Sequence, residues 1–217
     1  MTTALKTFTA SETAAIDRLK DFLAIPSVST DSQYEDAIQQ GAQWVAARLR
    51  EVDLEPAVLP IEGHPVVLAQ TENRHVADPE APRVLFYGHY DVQPPDPVEG
   101  WTNDPFTPTE RDGAIYARGA CDDKGQVCTF LEALRAYHEA GEKLPCHVTV
   151  MIEGEEEIGS KHLPAFLDEH AEALKADVAV ISDTAMWGDG TPAICYALRG
   201  LLYFDVQLHG PSRDLHS

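Results

Sequence analysis

Short apolar runs alternate with helix-patterned segments through the middle of the chain, and this alternation limits the fold more than any other feature. Pro65 to Ala69, Arg83 to Tyr87, His147 to Ile152 and Asp177 to Ile181 read as strands. Gly125 to Ala140 and Ser160 to Leu174 read as helices between them. Strands that alternate with helices build an α/β sheet covered on both faces. The expected fold is therefore α/β, a mixed and largely parallel sheet with helices on both faces. Two helices should precede it. Thr9 and Glu12 have capping-box spacing, which puts a helix start near Ser11, and Pro26 should stop that helix. A second helix is expected from about Tyr34 to Val52, with Ile38, Trp44, Val45 and Leu49 inward. Glu72 to Pro82 reads as a loop. Gln93 to Pro108 contains Pro94, Pro95, Pro97, Pro105 and Pro108 and must be irregular. From Ala193 the pattern changes to two apolar strands, Ala193–Leu198 and Leu201–Leu208, which suggests a second sheet.

Charge narrows the choice of partners. The 217 residues hold 16 Lys+Arg against 36 Asp+Glu, a net charge of −20. Such a surface repels nucleic acid and anionic membrane. No window approaches the roughly 18 apolar residues of a membrane span, and the first residues do not read as an export signal. Cys121, Cys128, Cys146 and Cys195 contain no C-x-x-C pair. Reduced thiols in a cytoplasmic protein are the expectation.

The residues with chemical potential cluster where a site should be. Ligands of open α/β sheets bind outside the carboxyl ends of the strands. Gly88-His89-Tyr90-Asp91-Val92-Gln93-Pro94 follows directly on one strand. A neutral imidazole is a good zinc ligand, and a carboxylate two residues on can accept its other N–H. Taken alone, a capped strand end would account for it equally well. Arg118 to Gly125 places Asp122 and Asp123 before a helix. Two acids there could be helix caps, or a carboxylate bridging two metals, since adjacent like charges need cations. Glu153-Gly154-Glu155-Glu156-Glu157-Ile158-Gly159-Ser160 follows another strand. A solvated acidic loop is the plain reading. The sharper one is a metal ligand beside a separate general base. Ile181-Ser182-Asp183 ends a further strand, and a lone aspartate there is weak on its own.

The order His-x-Asp, Asp-Asp-Lys-Gly, Glu-Glu-x-Gly-Ser and Ser-Asp resembles peptidase family M-twenty, and within it the carnosinase-like dipeptidases. Gly100 to Phe106, Tyr116 to Gly119 and Tyr196 to Gly200 add to the likeness. The resemblance implies a two-zinc centre, with cobalt or manganese as alternatives. His89 and Asp183 would bind one zinc, Asp122 would bridge, and Glu157 would bind the second. Asp91 would orient His89, and a cis peptide would join Asp122 to Asp123. Counting back from Ile158-Gly159-Ser160 makes Glu156 the general base and leaves out Glu155. His216 would stabilise the oxyanion from a lid domain, across a homodimer interface. Family members are roughly twice as long. The resemblance therefore implies that residues 1–198 are the first part of a catalytic domain and 199–217 the start of a lid. It also implies that a distal histidine for the second zinc lies outside this sequence, and that 1–217 alone is inactive or very weakly active. The expected substrate is a dipeptide. An N-acyl or N-succinyl amino acid, and a non-catalytic metal-binding scaffold, are the competing readings.

Overall fold

The structure, a computed structural model, describes residues 2–188 and 190–210. The chain divides into two units, Met1–Thr184 and Ala185–Ser217. The first unit opens with helix α1, Thr3–Leu23. This helix begins a full two turns before Ser11. Thr2 is its N-cap, with the hydroxyl accepting from the Leu5 N–H at 3.2 Å, and the Ala4 N–H is taken by the Glu142 carboxylate at 3.2 Å. Thr9, expected as a cap residue, lies inside the helix and bonds back to the Leu5 carbonyl. With two donors satisfied upstream, the helix has no reason to wait for the later capping box.

Helix α2 spans Glu35–Arg50, followed by strands β1 (Ala57–Leu59), β2 (Val66–Gln70) and β3 (Arg83–His89). A short hairpin comes next, β4 (Thr109–Arg111) with β5 (Ala114–Tyr116). Its two-residue turn is Asp112-Gly113, both at positive φ (52° and 77°), the conformation that favours Asp-Gly. Helix α3 (Lys124–Glu139), strand β6 (His147–Glu153), helix α4 (Leu163–Glu169) and strand β7 (Val178–Ile181) complete the unit.

The central sheet has the order β1-β2-β6-β3-β7. β1, β2 and β6 pair antiparallel, whereas β6, β3 and β7 run parallel. The alternation of side chains sorts the core into two faces. Val67, Ala69, Phe86, Val148, Val150 and Ile152 point to α1, α2 and α3, packing on Phe22, Ile38, Val45, Leu49 and Leu131. Val66, Met151, Leu85 and Tyr87 point the other way, to Phe166 and Leu163 of α4. Helices thus cover both faces, as the alternation requires.

The apolar runs at 193–198 and 201–208 are not strands. Ile194 and Leu208 are at least 90% exposed. A strand needs a second strand for its backbone groups, and among the described residues none lies beside either run. Among the described residues, no helix is long and apolar enough to cross a membrane.

Lys124, the first residue of α3, is fully buried. Its Nζ donates to the carbonyls of Phe22 (3.1 Å) and Ile25 (2.7 Å) and lies 4.8 Å from the centre of the Phe22 ring. It thereby adds a second donor to carbonyls at and just beyond the end of α1, which the Ile25 and Ser27 backbone N–H groups also reach. Lys124→Met should leave each carbonyl with its backbone donor alone, remove the charged donor they share, and cost roughly 1–3 kcal/mol. Urea denaturation of the two chains measures this, and a loss below about 0.5 kcal/mol would show that α1 does not depend on the lysine.

Candidate metal centre

The parallel strands bring the motifs together. His89 and Glu153 are register partners at the carboxyl ends of β3 and β6, and Tyr87 partners Ile181 at the end of β7. Three clusters separated in sequence therefore share one end of one sheet.

His89 is wholly buried and bonded on both nitrogens. Nδ1 faces the Asp91 carbonyl at 3.0 Å and Asp91 Oδ1 at 3.3 Å. Nε2 faces Asp122 Oδ1 at 3.1 Å, Asp183 Oδ2 at 3.8 Å and Glu156 Oε2 at 4.0 Å. Donor atoms of His89, Asp122 and Asp183 lie within 4.8 Å of one another. Asp91, also wholly buried, accepts the backbone N–H groups of Glu156 (3.3 Å) and Glu157 (3.1 Å) on its two carboxylate oxygens. The peptide between Asp122 and Asp123 is cis. Asp123 points inward, where Oδ2 accepts the His89 N–H at 3.1 Å and Oδ1 is buried without a partner. A side chain at Gly88 would meet Asp123 Oδ2 at 2.7 Å, so glycine is needed for this approach.

The remaining acids of the 153–157 run diverge. Glu153 is buried and accepts from Tyr87 OH (2.5 Å) and Ser160 Oγ (2.8 Å). Glu155 is buried and turned to His162 Nδ1, at 2.9 Å. Glu156 and Glu157 are half-buried and face the cluster. His216 lies outside the described residues. Sequence reasoning missed Asp123, Lys124 and Gln93 as supports. Gln93 stands within the heptapeptide 88–94, but nothing in the sequence tells which partner its amide takes. A cavity of about 360 Å³ between α1 and α3, lined by Leu5, Phe8, Leu19 and Cys128, contains none of these groups.

Electrostatics mark the cluster as short of positive charge. Burial opposes charging His89, but the Asp91 hydrogen bond and the negative charges of Asp91, Asp123 and Glu156 outweigh it and push its pKa up to about 10. Burial, with Asp183 and Asp122 nearby, pushes Asp123 up to about 7 against the opposing effect of His89. Burial likewise raises Glu156, Glu157 and Asp183, with neighbouring carboxylates adding to each shift. Cations relieve this kind of crowding. One imidazole nitrogen among carboxylate oxygens is a donor set that suits zinc, cobalt or manganese. The residues present therefore fit a divalent metal.

An α/β sheet with a histidine–carboxylate cluster outside its parallel strand ends is the framework of a metal-dependent α/β protein. The model of peptidase family M20/M25/M40 matches residues 85–209, and the chain belongs to this family. It is 36% identical over 215 residues to the Cys-Gly metallodipeptidase dug1 of Schizosaccharomyces pombe, covering 93% of this chain and 44% of that protein. It is 38% identical over 182 residues to the human Beta-Ala-His dipeptidase, covering 81% of this chain and 35% of that one. The crystal structure of human carnosine dipeptidase 1 superimposes with a TM-score of 0.77 at 31% identity, covering 86% of this chain and 42% of that one. The chain thus spans less than half the length of these relatives.

The shifts set a pH dependence. Without metal, His89 keeps its proton in the folded chain up to about pH 10, but in the unfolded chain only to about 6.5. Asp123 keeps its proton to about 7 folded, against 3.8 unfolded. The folded state binds more protons across both windows, so these groups lose stability as pH rises from about 4 to about 10. Urea midpoints in chelator should fall over that range, and less steeply in His89→Gln. Added zinc, which takes the neutral imidazole, should raise the midpoint most at the alkaline end. A metal-free midpoint that rises from pH 7 to 9 would contradict the assigned charge balance.

Proposed function

We propose that this chain carries most of a two-metal hydrolytic centre that cleaves the amide bond of dipeptides, as the first part of a longer enzyme. The observation that carries the reading is the convergence of Asp122, Asp183 and Glu156 within 4.0 Å of His89 Nε2, while Asp91 occupies Nδ1. The dipeptidase names of the relatives support the substrate class. His89 and Asp183 would hold one ion, Asp122 would bridge, and Glu157 would hold the second. Two divalent cations would supply positive charge that acidifies water and polarises the scissile carbonyl.

The protein's own groups do the rest. Asp91 accepts the Nδ1–H of His89, so the imidazole presents Nε2 to the cleft in a fixed tautomer. Glu156 stands half-exposed at the cleft with its proton affinity raised by burial and by Asp183 and Glu157. It takes a proton from the attacking water and returns it to the leaving amine. Asp91 fixes where that carboxylate stands, through the backbone N–H of Glu156. His216 would donate to the tetrahedral oxyanion from the start of a lid at 199–217, in a homodimer of the longer protein. The second ion would have Asp122 and Glu157 here and take its histidine from the remainder. Residues 1–217 alone would therefore be inactive. The acidic composition disfavours nucleic acid and anionic membrane as partners, and the cysteines, read as reduced thiols, favour a cytoplasmic enzyme.

Glu156→Gln in a chain of the relatives' length should lower dipeptide turnover about 10²–10⁴-fold while zinc binding persists. Unchanged turnover would remove Glu156 as the base. Faster turnover of N-acetyl or N-succinyl amino acids than of dipeptides by the unmutated protein would move the substrate class to a deacylase. Dipeptide hydrolysis by 1–217 itself at ordinary enzyme rates would overturn the need for a longer chain.

A further inference from the structure

We infer that Gln93 is a positioning residue that fixes the carboxylate of Glu157 for the second metal ion. The inference rests on the reading of Glu157 as a ligand and deepens it. Gln93 Nε2 donates to the Glu157 carboxylate Oε2 at 2.8 Å and to the Glu157 carbonyl at 2.9 Å. Both partners are acceptors, so the amide must present its NH₂ group to them, and its orientation is fixed by chemistry. Asp91 holds the N–H of the same residue at 3.1 Å. Glu157 is thus gripped at its N–H, its carbonyl and its side chain by two residues of one short segment.

That segment is itself rigidly mounted. The Val92 N–H donates to the Ser27 carbonyl at 2.9 Å, and Val92 bridges to Val28. Ser27 Oγ donates to the Tyr90 carbonyl at 2.6 Å. The proposed centre brings the Asp122 and Glu157 carboxylates to one ion, and like charges repel until that ion is present. Two adjacent carboxylates would swing apart without a tether. The Gln93 donor offsets that repulsion at Oε2, and among the described residues no hydrogen bond occupies Oε1. A hydrogen bond behind a ligating carboxylate aligns it before the ion arrives, and loss of such a bond weakens metal affinity about 10- to 100-fold.

Zinc titration calorimetry on a chain of the relatives' length, which supplies the second ion's histidine, tests this, with Gln93→Met, Gln93→Glu, Glu157→Ala and the double variant Gln93→Met/Glu157→Ala. Glu157→Ala should abolish or weaken one zinc-binding step. Gln93→Met should weaken the same step about 10- to 100-fold, with the metal-free chain melting within a few degrees of the parent. Gln93→Glu, which replaces the donor by a like charge, should weaken it as well and carries the test if the methionine variant does not fold. In the Glu157→Ala background, Gln93→Met should change zinc affinity less than threefold, because its effect passes through Glu157. A Gln93→Met chain that binds zinc like the parent, while Glu157→Ala does not, overturns the role of Gln93 and leaves Glu157 as a ligand. Additive losses in the double variant also overturn it. A Glu157→Ala chain with unchanged zinc binding overturns the ligand assignment itself.

Discussion

The carboxylate of Asp91 is the point on which the site depends. It is wholly buried, and it accepts from the His89 imidazole and from the backbone N–H groups of Glu156 and Glu157. A buried carboxylate is costly unless its lone pairs are filled. Here every donor that fills them belongs to the candidate centre. The same charge therefore orients the imidazole, and it anchors the loop that carries the proposed base and the proposed second ligand. Strand pairing makes this possible: β3 and β6 run parallel with His89 opposite Glu153, so the segments that follow leave the sheet side by side.

The order of strands supplies the rest. β6, β3 and β7 are neighbours, so Asp183 arrives beside His89 although the two are 94 positions apart in the chain. Asp122 comes from the loop before α3, and Lys124 ties the start of that helix to the end of α1. Close packing around the loops demands glycine at several places, among them Gly88 and Gly154. A side chain at Gly88 would strike Asp123, and one at Gly154 would meet the Tyr90 hydroxyl at 2.3 Å, which is itself bonded to the Pro65 carbonyl. The rigid half of the cluster is buried, whereas Asp122, Asp183 and Glu156 keep part of their surface open to the cleft. That division suits a site that must hold its geometry and still admit a substrate.

Much of this was legible in the sequence, for reasons that are physical. The α/β class followed from the spacing of β3, α3, β6 and β7, because buried strands and amphipathic helices leave periods that survive without neighbours. The placing of chemical residues after strands followed from the same pattern. Helix α1 was misjudged at its start because Ala4 takes its cap from Glu142, a partner 138 residues away. The β4–β5 hairpin left a local signal in Asp112-Gly113 that the density of prolines just before it obscured. The runs at 193–208 have the composition of strands, yet composition does not supply the partner strand that makes one. Lys124 was illegible for a different reason. A lysine beside two aspartates reads as solvated, and only the fold shows that its stem crosses the core to two carbonyls.

The run from Glu153 to Glu157 shows how one acidic segment can serve several ends. Four carboxylates in five residues would repel one another if they shared one environment. They do not. Glu153 bonds to Tyr87 and Ser160 and closes the loop on itself, and Glu155 turns to His162. Only Glu156 and Glu157 remain toward His89, and they differ again. Glu157 is tethered by Gln93, whereas no side-chain donor among the described residues holds the Glu156 carboxylate. A tethered carboxylate suits a ligand, which must stay in place. An untethered one suits a base, which must pick up a proton and release it. The division of labour proposed for the two glutamates thus rests on the environments of adjacent residues that the sequence writes with the same letter.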